Sequence, residues 1–419
     1  MTAHIEILAI LSSAVIIVWL FRKLNLPAIL AYLVAGMFVG EHGLALAQEH
    51  VDYEHFAELG IVFLLFTLGL EFSLPKLLAM RHLVIAVGSL QVLLSMVVFT
   101  GIAILLGQSF QSALVIGGIL ALSSTAIVIR QLSESGAMKR KSGQISVAIL
   151  LFQDVAVVPL LIVIPMLAQD SDSSMASALL IALVKGVLVV GLLLSFGKWL
   201  LPRLFNLVAQ VRTDELFVLT TLLVTLVASA LTQSFGLSMA LGAFLAGMML
   251  GESQYKHQLE ADIRPYRDIL LGLFFVTVGM KMDVGVLIGS PIKMLALLIC
   301  FMLVKVLLIQ MLAVRAGERS KDAWASGFML AQMGEFGFVL IALATQANIL
   351  PTDIASLILG AGVLSMAITP FMIDRARDWG LALSKEQVID TSSLETLPQE
   401  KTFENHVIIC GFGRIGQTV

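Results

Sequence analysis

Three charged residues fall inside long apolar runs. Asp154 follows Gln153 in the stretch Ile149-Leu150-Leu151-Phe152-Gln153-Asp154-Val155-Ala156, Lys305 interrupts Met302-Leu303-Val304-Lys305-Val306-Leu307, and Glu335 lies in Gln332-Met333-Gly334-Glu335-Phe336-Gly337. A charge at the centre of a bilayer costs at least about 2.5–3.5 kcal/mol on insertion scales, so such residues mark ion or proton pathways by default. A buried carboxylate can hold either a proton or a dehydrated monovalent cation, and competition between the two couples their movements as an antiporter requires. Asp154 is the expected shared cation and proton site. Gln153 adds an oxygen without a charge, which suits a singly charged ion, and Ser123, Ser124 and Thr125 offer further hard oxygen ligands apt for Na⁺ or K⁺. Lys305 is expected as the counter-charge, its distance from Asp154 tuning that carboxylate; a permanent ion pair that merely joins two helices is the alternative, disfavoured because such pairs rarely outperform apolar packing. Glu335 is expected to cap a half-helix or bind a backbone N–H rather than to ligate the ion.

The elements that carry these residues must be membrane spans. Of 419 residues 58% are apolar and 13% charged, and the mean hydropathy is +0.98; apolar blocks of about twenty residues cannot hide in one soluble core. Roughly thirteen blocks are expected to span the bilayer, near 4–21, 27–43, 57–72, 83–107, 111–129, 143–168, 176–200, 215–233, 237–251, 266–280, 287–314, 323–346 and 353–373. The first has His4 and Glu6 in place of a basic n-region and reads as a retained span, not a signal peptide. Alternate loops, from Arg22 and Lys23 through to Arg375 and Arg377, hold nineteen basic residues, whereas the opposite loops hold Lys281 and Lys293. That asymmetry predicts a cytoplasmic C-terminus and, with an odd number of spans, an external N-terminus. A net charge of −3 argues against a nucleic-acid partner, and two cysteines form no disulfide scaffold. His42, His50 and His55 suit no common metal spacing, and no hydrolase, zinc-protease or P-loop motif is present, so no enzyme centre is expected.

The second half repeats the first at an offset of about 210 residues. Gly36-Met-Phe-Val-Gly-Glu41 aligns with Gly247-Met-Met-Leu-Gly-Glu252, Phe63-Leu-Leu-Phe-Thr-Leu-Gly69 with Leu273-Phe-Phe-Val-Thr-Val-Gly279, and Pro159 with Pro370. Matched spans lie seven apart, and an odd separation inverts the second copy, the architecture of alternating-access transporters. Its binding site is expected at the midplane, where the polar stretch 123–125 and the glycine-rich stretch 332–337 would interrupt two crossing helices. The expected fold is therefore an all-α polytopic membrane domain over 1–375, then a linker over 376–404. Residues 405–419 read as the start of an α/β Rossmann-type domain, in which the strand at His406 to Cys410 runs into Gly411-Phe-Gly413-Arg-Ile-Gly416, the G-x-G-x-x-G pattern in its proper place. The sequence stops before the ribose-reading carboxylate of such a domain, as a truncated one would.

Taken together, Phe152-Gln153-Asp154, Leu122-Ser123-Ser124-Thr125-Ala126, Gly334-Glu335-Phe336 and the run from His257 through Leu270-Leu271-Gly272-Leu273-Phe274-Phe275 to Met280 resemble the monovalent cation:proton antiporter-2 family, specifically its Kef-type potassium/proton antiporters. The resemblance covers about 1–375 and the opening of the following domain. It implies potassium/proton exchange in a bacterial inner membrane, a sodium/proton antiporter-like fold, and a homodimer in which a core domain moves against a dimerisation domain. It also implies an ion site at Gln153 and Asp154 with Lys305 as its cationic counterpart. The domain from 405 would be a regulator of the nucleotide-binding RCK or KTN type, with Gly411, Gly413 and Gly416 on an NAD(H) or AMP-type nucleotide. In Kef systems glutathione and its adducts act on that domain, which touches a cytoplasmic loop matched here by His257, Glu260 and Asp262; Gln258 and Ala261 depart from the pattern. Sodium/proton exchange on the same scaffold and a ligand-gated potassium channel are the alternatives, and the number of charges moved per cycle is open.

Overall fold

The computed structural model describes residues 3–384 except 25, 42, 47–50, 73–78, 168–174, 212 and 252; the expected strand, the glycines at 411, 413 and 416 and most of the linker lie outside the described residues. All described secondary structure is helical. The helices are α1 (Ala3–Lys23), α2 (Ala28–Val39), α3 (Val51–Glu71), α4 (Arg81–Leu105), α5 (Phe110–Ala121), α6 (Thr125–Glu134), α7 (Lys141–Leu167) and α8 (Met175–Val211). They continue with α9 (Asp214–Ser234), α10 (Met239–Gly251), α11 (Lys256–Met280), α12 (Val284–Gly289), α13 (Pro291–Arg315), α14 (Ser320–Met329), α15 (Glu335–Gln346) and α16 (Thr352–Ser384). Among the described residues, six stretches are long and apolar enough to cross a membrane: α4, the α5–α6 pair, α7, Glu215–Ser234 within α9, α13 and α16. The protein is a multi-pass membrane protein.

Local sequence sets the boundaries. α2 is shorter than its apolar block because Pro27 precedes it and Gly40 leaves the helix in an extended conformation, consistent with proline at a helix start and glycine beyond its end. The segment around His257, Glu260 and Asp262, expected as a loop, is instead the first two turns of α11. Leu259 and Ile263, four residues apart and both buried, give it an apolar stripe that the charged residues around them conceal in the sequence. α16 likewise continues past 375, where the linker is expected, to Ser384.

The helices pack in two groups. α1, α2, α3, α9, α10 and α11 form one, α4 to α7 and α13 to α16 the other, and α8 touches both. Within the first group the backbones meet at glycines: Gly36 of α2 lies against Val276 and Gly279 of α11, and Gly247 of α10 lies against Phe66 and Leu70 of α3, next to Gly69. Any Cβ at Gly36 or Gly247 would overlap a neighbouring carbonyl, so only glycine permits these approaches. Gly36 and Gly247 are repeat equivalents, as are Gly69 and Gly279. The two helix pairs therefore make one contact twice, with the halves exchanged. In the second group the breaks recur at the same interval: α5 and α14 begin at 110 and 320, α6 and α15 at 125 and 335.

Candidate ion-binding site

Two helix breaks cross at the centre of the second group. Leu122 to Ser124 separate α5 from α6, and Leu330 to Gly334 separate α14 from α15. The breaks touch directly, since the Ser123 hydroxyl donates to the Leu330 carbonyl at 2.8 Å and a Cβ on Gly334 would lie 2.6 Å from the Ser123 carbonyl oxygen. Breaking a helix inside a membrane frees backbone groups that need partners within the protein. Here the partners include side chains on α4, α7, α13 and α16.

Lys305 of α13 is the largest of them in effect. It is 0% exposed, and its Nζ donates to the Leu122 carbonyl at 2.7 Å, the Gln332 carbonyl at 2.7 Å and the Ser123 hydroxyl at 2.9 Å. The Ser123 proton is already given to Leu330, so Ser123 accepts from Lys305. Three acceptors match the three protons of an ammonium, and one side chain ties both breaks together. Among the described residues, no hydrogen bond or ion pair joins Lys305 to Asp154. Lys305, expected as the counter-charge of Asp154, thus bonds two backbone carbonyls and one hydroxyl at the breaks.

Gln153 and Asp154, successive on α7, do different things. The Gln153 Oε1 accepts from the Ser123 N–H at 2.7 Å, while its Nε2 donates to the Ala121 carbonyl at 3.2 Å and to Gln91 Oε1 at 2.8 Å. Its oxygen, expected to face the ion, is occupied in holding the first break. Asp154 Oδ1 accepts from the Thr125 hydroxyl at 3.0 Å, and the residue keeps 9% of its surface exposed, enough to be reached where Lys305 is not. Of the three hydroxyls expected near the ion, Ser123 is spent on Leu330 and Lys305, and Ser124 caps α6 by accepting from Ile127 N–H at 3.3 Å. Thr125 alone is bonded to the carboxylate.

Glu335 opens α15 and its Oε1 accepts from the Ala126 N–H, at the start of α6, at 3.4 Å. A carboxylate between two helix N-termini is favourably placed in their dipoles. Its Oε2, with both side-chain atoms of Gln332, is buried without a hydrogen-bond partner among the described residues. His257, Glu260 and Asp262 lie apart from this centre, on α11 of the other helix group; Glu260 pairs with Arg264 at 3.4 Å. Sequence reasoning missed Gln91, a polar residue in an apolar span whose only sign was its polarity.

Two cavities lie at opposite ends of α7 and α16. One, of about 490 Å³, lies between the two helix groups and is lined by Glu58, Pro165, Lys281, Gln346 and Thr352. The other, of about 770 Å³, is lined by Arg140, Ser142, Lys321, Asp374 and Arg377. Asp154 lies on α7 midway between Ser142 and Pro165, about 17 Å from each along the helix axis at the usual rise per residue.

These features define a class: a multi-pass membrane protein whose polar centre is a carboxylate beside two crossed, broken helices. The family model for the sodium/hydrogen exchanger, transmembrane, matches residues 10–376, and the chain belongs to that family. It is 40% identical over 424 residues to the putative K(+) efflux antiporter KefB of Alkalimonas amylolytica, the match covering 99% of this chain and 63% of that protein. It is 39% identical to the chloroplastic K(+) efflux antiporter 1 of Arabidopsis thaliana, over 99% of this chain and 35% of that protein. The chain spans less than two thirds of the length of these relatives. Its fold is that of the sodium proton antiporter MjNhaP1 from Methanocaldococcus jannaschii, with a TM-score of 0.64 at 17% identity over 91% of this chain and 98% of that one.

Proposed function

We propose that this chain is the membrane unit of a potassium/proton antiporter that works by alternating access, with K⁺ and H⁺ competing for Asp154. The observation that carries the reading is the division of labour at the crossing: Lys305, Gln153 and Gln91 are spent on groups freed by the breaks, while Asp154 keeps 9% of its surface exposed and accepts from one hydroxyl, that of Thr125. A carboxylate that loads a cation must lose its proton, and one that takes a proton must release the cation, so neither ion is carried alongside the other. Lys305 holds the breaks fixed beside it, and Gln153 orients the first break. Cavities at both ends of α7 support access from either side, and rocking of the α4–α7 and α13–α16 group against the glycine-packed group would alternate them.

The orientation follows the basic residues, with the C-terminus cytoplasmic and thirteen spans in a bacterial inner membrane, and the exchanged glycine contacts support an inverted repeat. Efflux of K⁺ against proton entry is preferred to sodium/proton exchange because the relatives of high identity carry the potassium name; the family description and the structural neighbour favour sodium. A dimer formed through the glycine-packed group belongs to this reading. So does a nucleotide-binding regulator beginning at 405, with Gly411, Gly413 and Gly416 on the nucleotide and glutathione-type ligands acting through it. Proteoliposomes with an internal pH dye test the exchange: added K⁺ should move protons in wild type and not in Asp154→Asn. K⁺ flux without a proton signal would make the site a channel pore.

A further inference from the structure

We infer that Gln91 is a positioning residue for the ion site, acting through Gln153 on the first helix break; the inference rests on the reading that exchange runs at Asp154. Gln91 is 0% exposed and stands on α4 just after the π-helical turn Val84–Ser89. A π turn inserts extra backbone and changes which side chains face a neighbouring helix, and such turns recur at functional sites. In that turn Gly88 meets α7, where a Cβ would lie 2.7 Å from Phe152 Cβ. α4 thus comes close to α7 beside Gln153.

The two amides then lock each other. Gln91 Nε2 donates to Ser95 Oγ at 3.0 Å and to the Ala121 carbonyl at 3.1 Å, so its Oε1 is the atom turned to α7. That oxygen demands a donor, which fixes Gln153 with Nε2 toward Gln91 at 2.8 Å and leaves Gln153 Oε1 for the Ser123 N–H. With the Gln153 amide turned over, its NH₂ would face the Ser123 N–H, two donors together. Ser123 is the residue on which Lys305 and Leu330 converge, and Thr125, two residues on, bonds Asp154. Gln91 therefore sets the geometry of the site from one residue removed. Its hydrogen-bond partners are Ser95, the Ala121 carbonyl and Gln153 rather than the carboxylate, so it is neither ligand nor proton carrier.

The test is a double-mutant cycle in proteoliposomes, reading the K⁺ concentration that half-saturates proton release for wild type, Gln91→Met, Gln153→Met and the double variant. Gln91→Met should raise that concentration about fivefold, the scale of one buried hydrogen bond. The double variant should match the more affected single variant, since residues acting as one unit are not additive. Effects that multiply, or a Gln91→Met protein with wild-type half-saturation, would overturn the inference. Gln91→Asn, a milder change, serves where the Met variant does not fold, and wild-type half-saturation there is equally contrary. Absence of exchange in the wild type would instead overturn the function on which the inference rests.

Discussion

Replacing Lys305 by methionine separates two roles that one buried cation can play. The side chain keeps its apolar stem and loses the ammonium, leaving the Leu122 and Gln332 carbonyls and the Ser123 hydroxyl without their donor. Interhelical hydrogen bonds inside membrane bundles contribute about 0.6 kcal/mol on average and up to about 1.7 kcal/mol each, so the three bonds together amount to about 2 to 5 kcal/mol. The upper part of that range is expected, because the acceptors stranded by the substitution are frozen at a helix crossing with no water to replace the lysine. Thermal unfolding of purified protein in a mild detergent, followed by intrinsic fluorescence, should show a midpoint several degrees below wild type. Asp154→Asn, which retains an oxygen for the Thr125 hydroxyl, should unfold close to wild type. A Lys305→Met protein that is as stable as wild type and yet inactive would refute the reasoning. Lys305 would then act on the charge of Asp154, and the clamp would be incidental.

Thr125→Val removes the hydroxyl that reaches Asp154 Oδ1 while keeping the branched shape, and should weaken K⁺ half-saturation about fivefold without abolishing transport; a flux assay over a K⁺ series decides it. Gly334→Ala drives a methyl into the Ser123 backbone, 2.6 Å from its carbonyl oxygen, where no flexible side chain can give way; a cost of about 1–3 kcal/mol and loss of exchange are expected, measured by unfolding and by flux. Competition between proton and cation also fixes a sign with pH. As pH falls and the carboxylate fills with protons, the K⁺ concentration for half-saturation should rise, approaching about tenfold per pH unit in the acidic limb. In Asp154→Asn any residual K⁺ binding should lose this dependence, as isothermal titration at several pH values would show.

The sequence made some of this architecture readable and hid the rest for identifiable reasons. Asp154 and Lys305 stand out because charge in an apolar run is costly, and the breaks stand out because Ser123, Ser124 and Thr125, like Gly334 and Glu335, interrupt hydrophobic runs at a common interval. The partners of Lys305 were not readable, because two of the three are backbone carbonyls of Leu122 and Gln332, which no residue letter reveals. Gln153 was expected to offer its oxygen to the ion since it precedes Asp154, yet neighbours in a helix face about 100° apart, and its amide turns to Ser123 and Gln91. The glycine contacts were visible as a repeat but not as contacts; that Gly36 meets Gly279 while Gly247 lies beside Gly69 emerges with packing. The charged stretch at 256–267 looked like a loop because Lys256, Glu260, Arg264 and Pro265 outnumber the two buried residues, Leu259 and Ile263, that make it a helix.

The central claim, one carboxylate shared by a proton and a cation, is tested most directly without a membrane gradient. Purified protein in a weakly buffered detergent solution with a pH dye, prepared below the pH at which the site empties, is titrated with K⁺. The account predicts release of about one proton per chain as K⁺ binds, and none from Asp154→Asn. Saturable K⁺ binding with no proton release, or equal release from the Asp154→Asn protein, would contradict it.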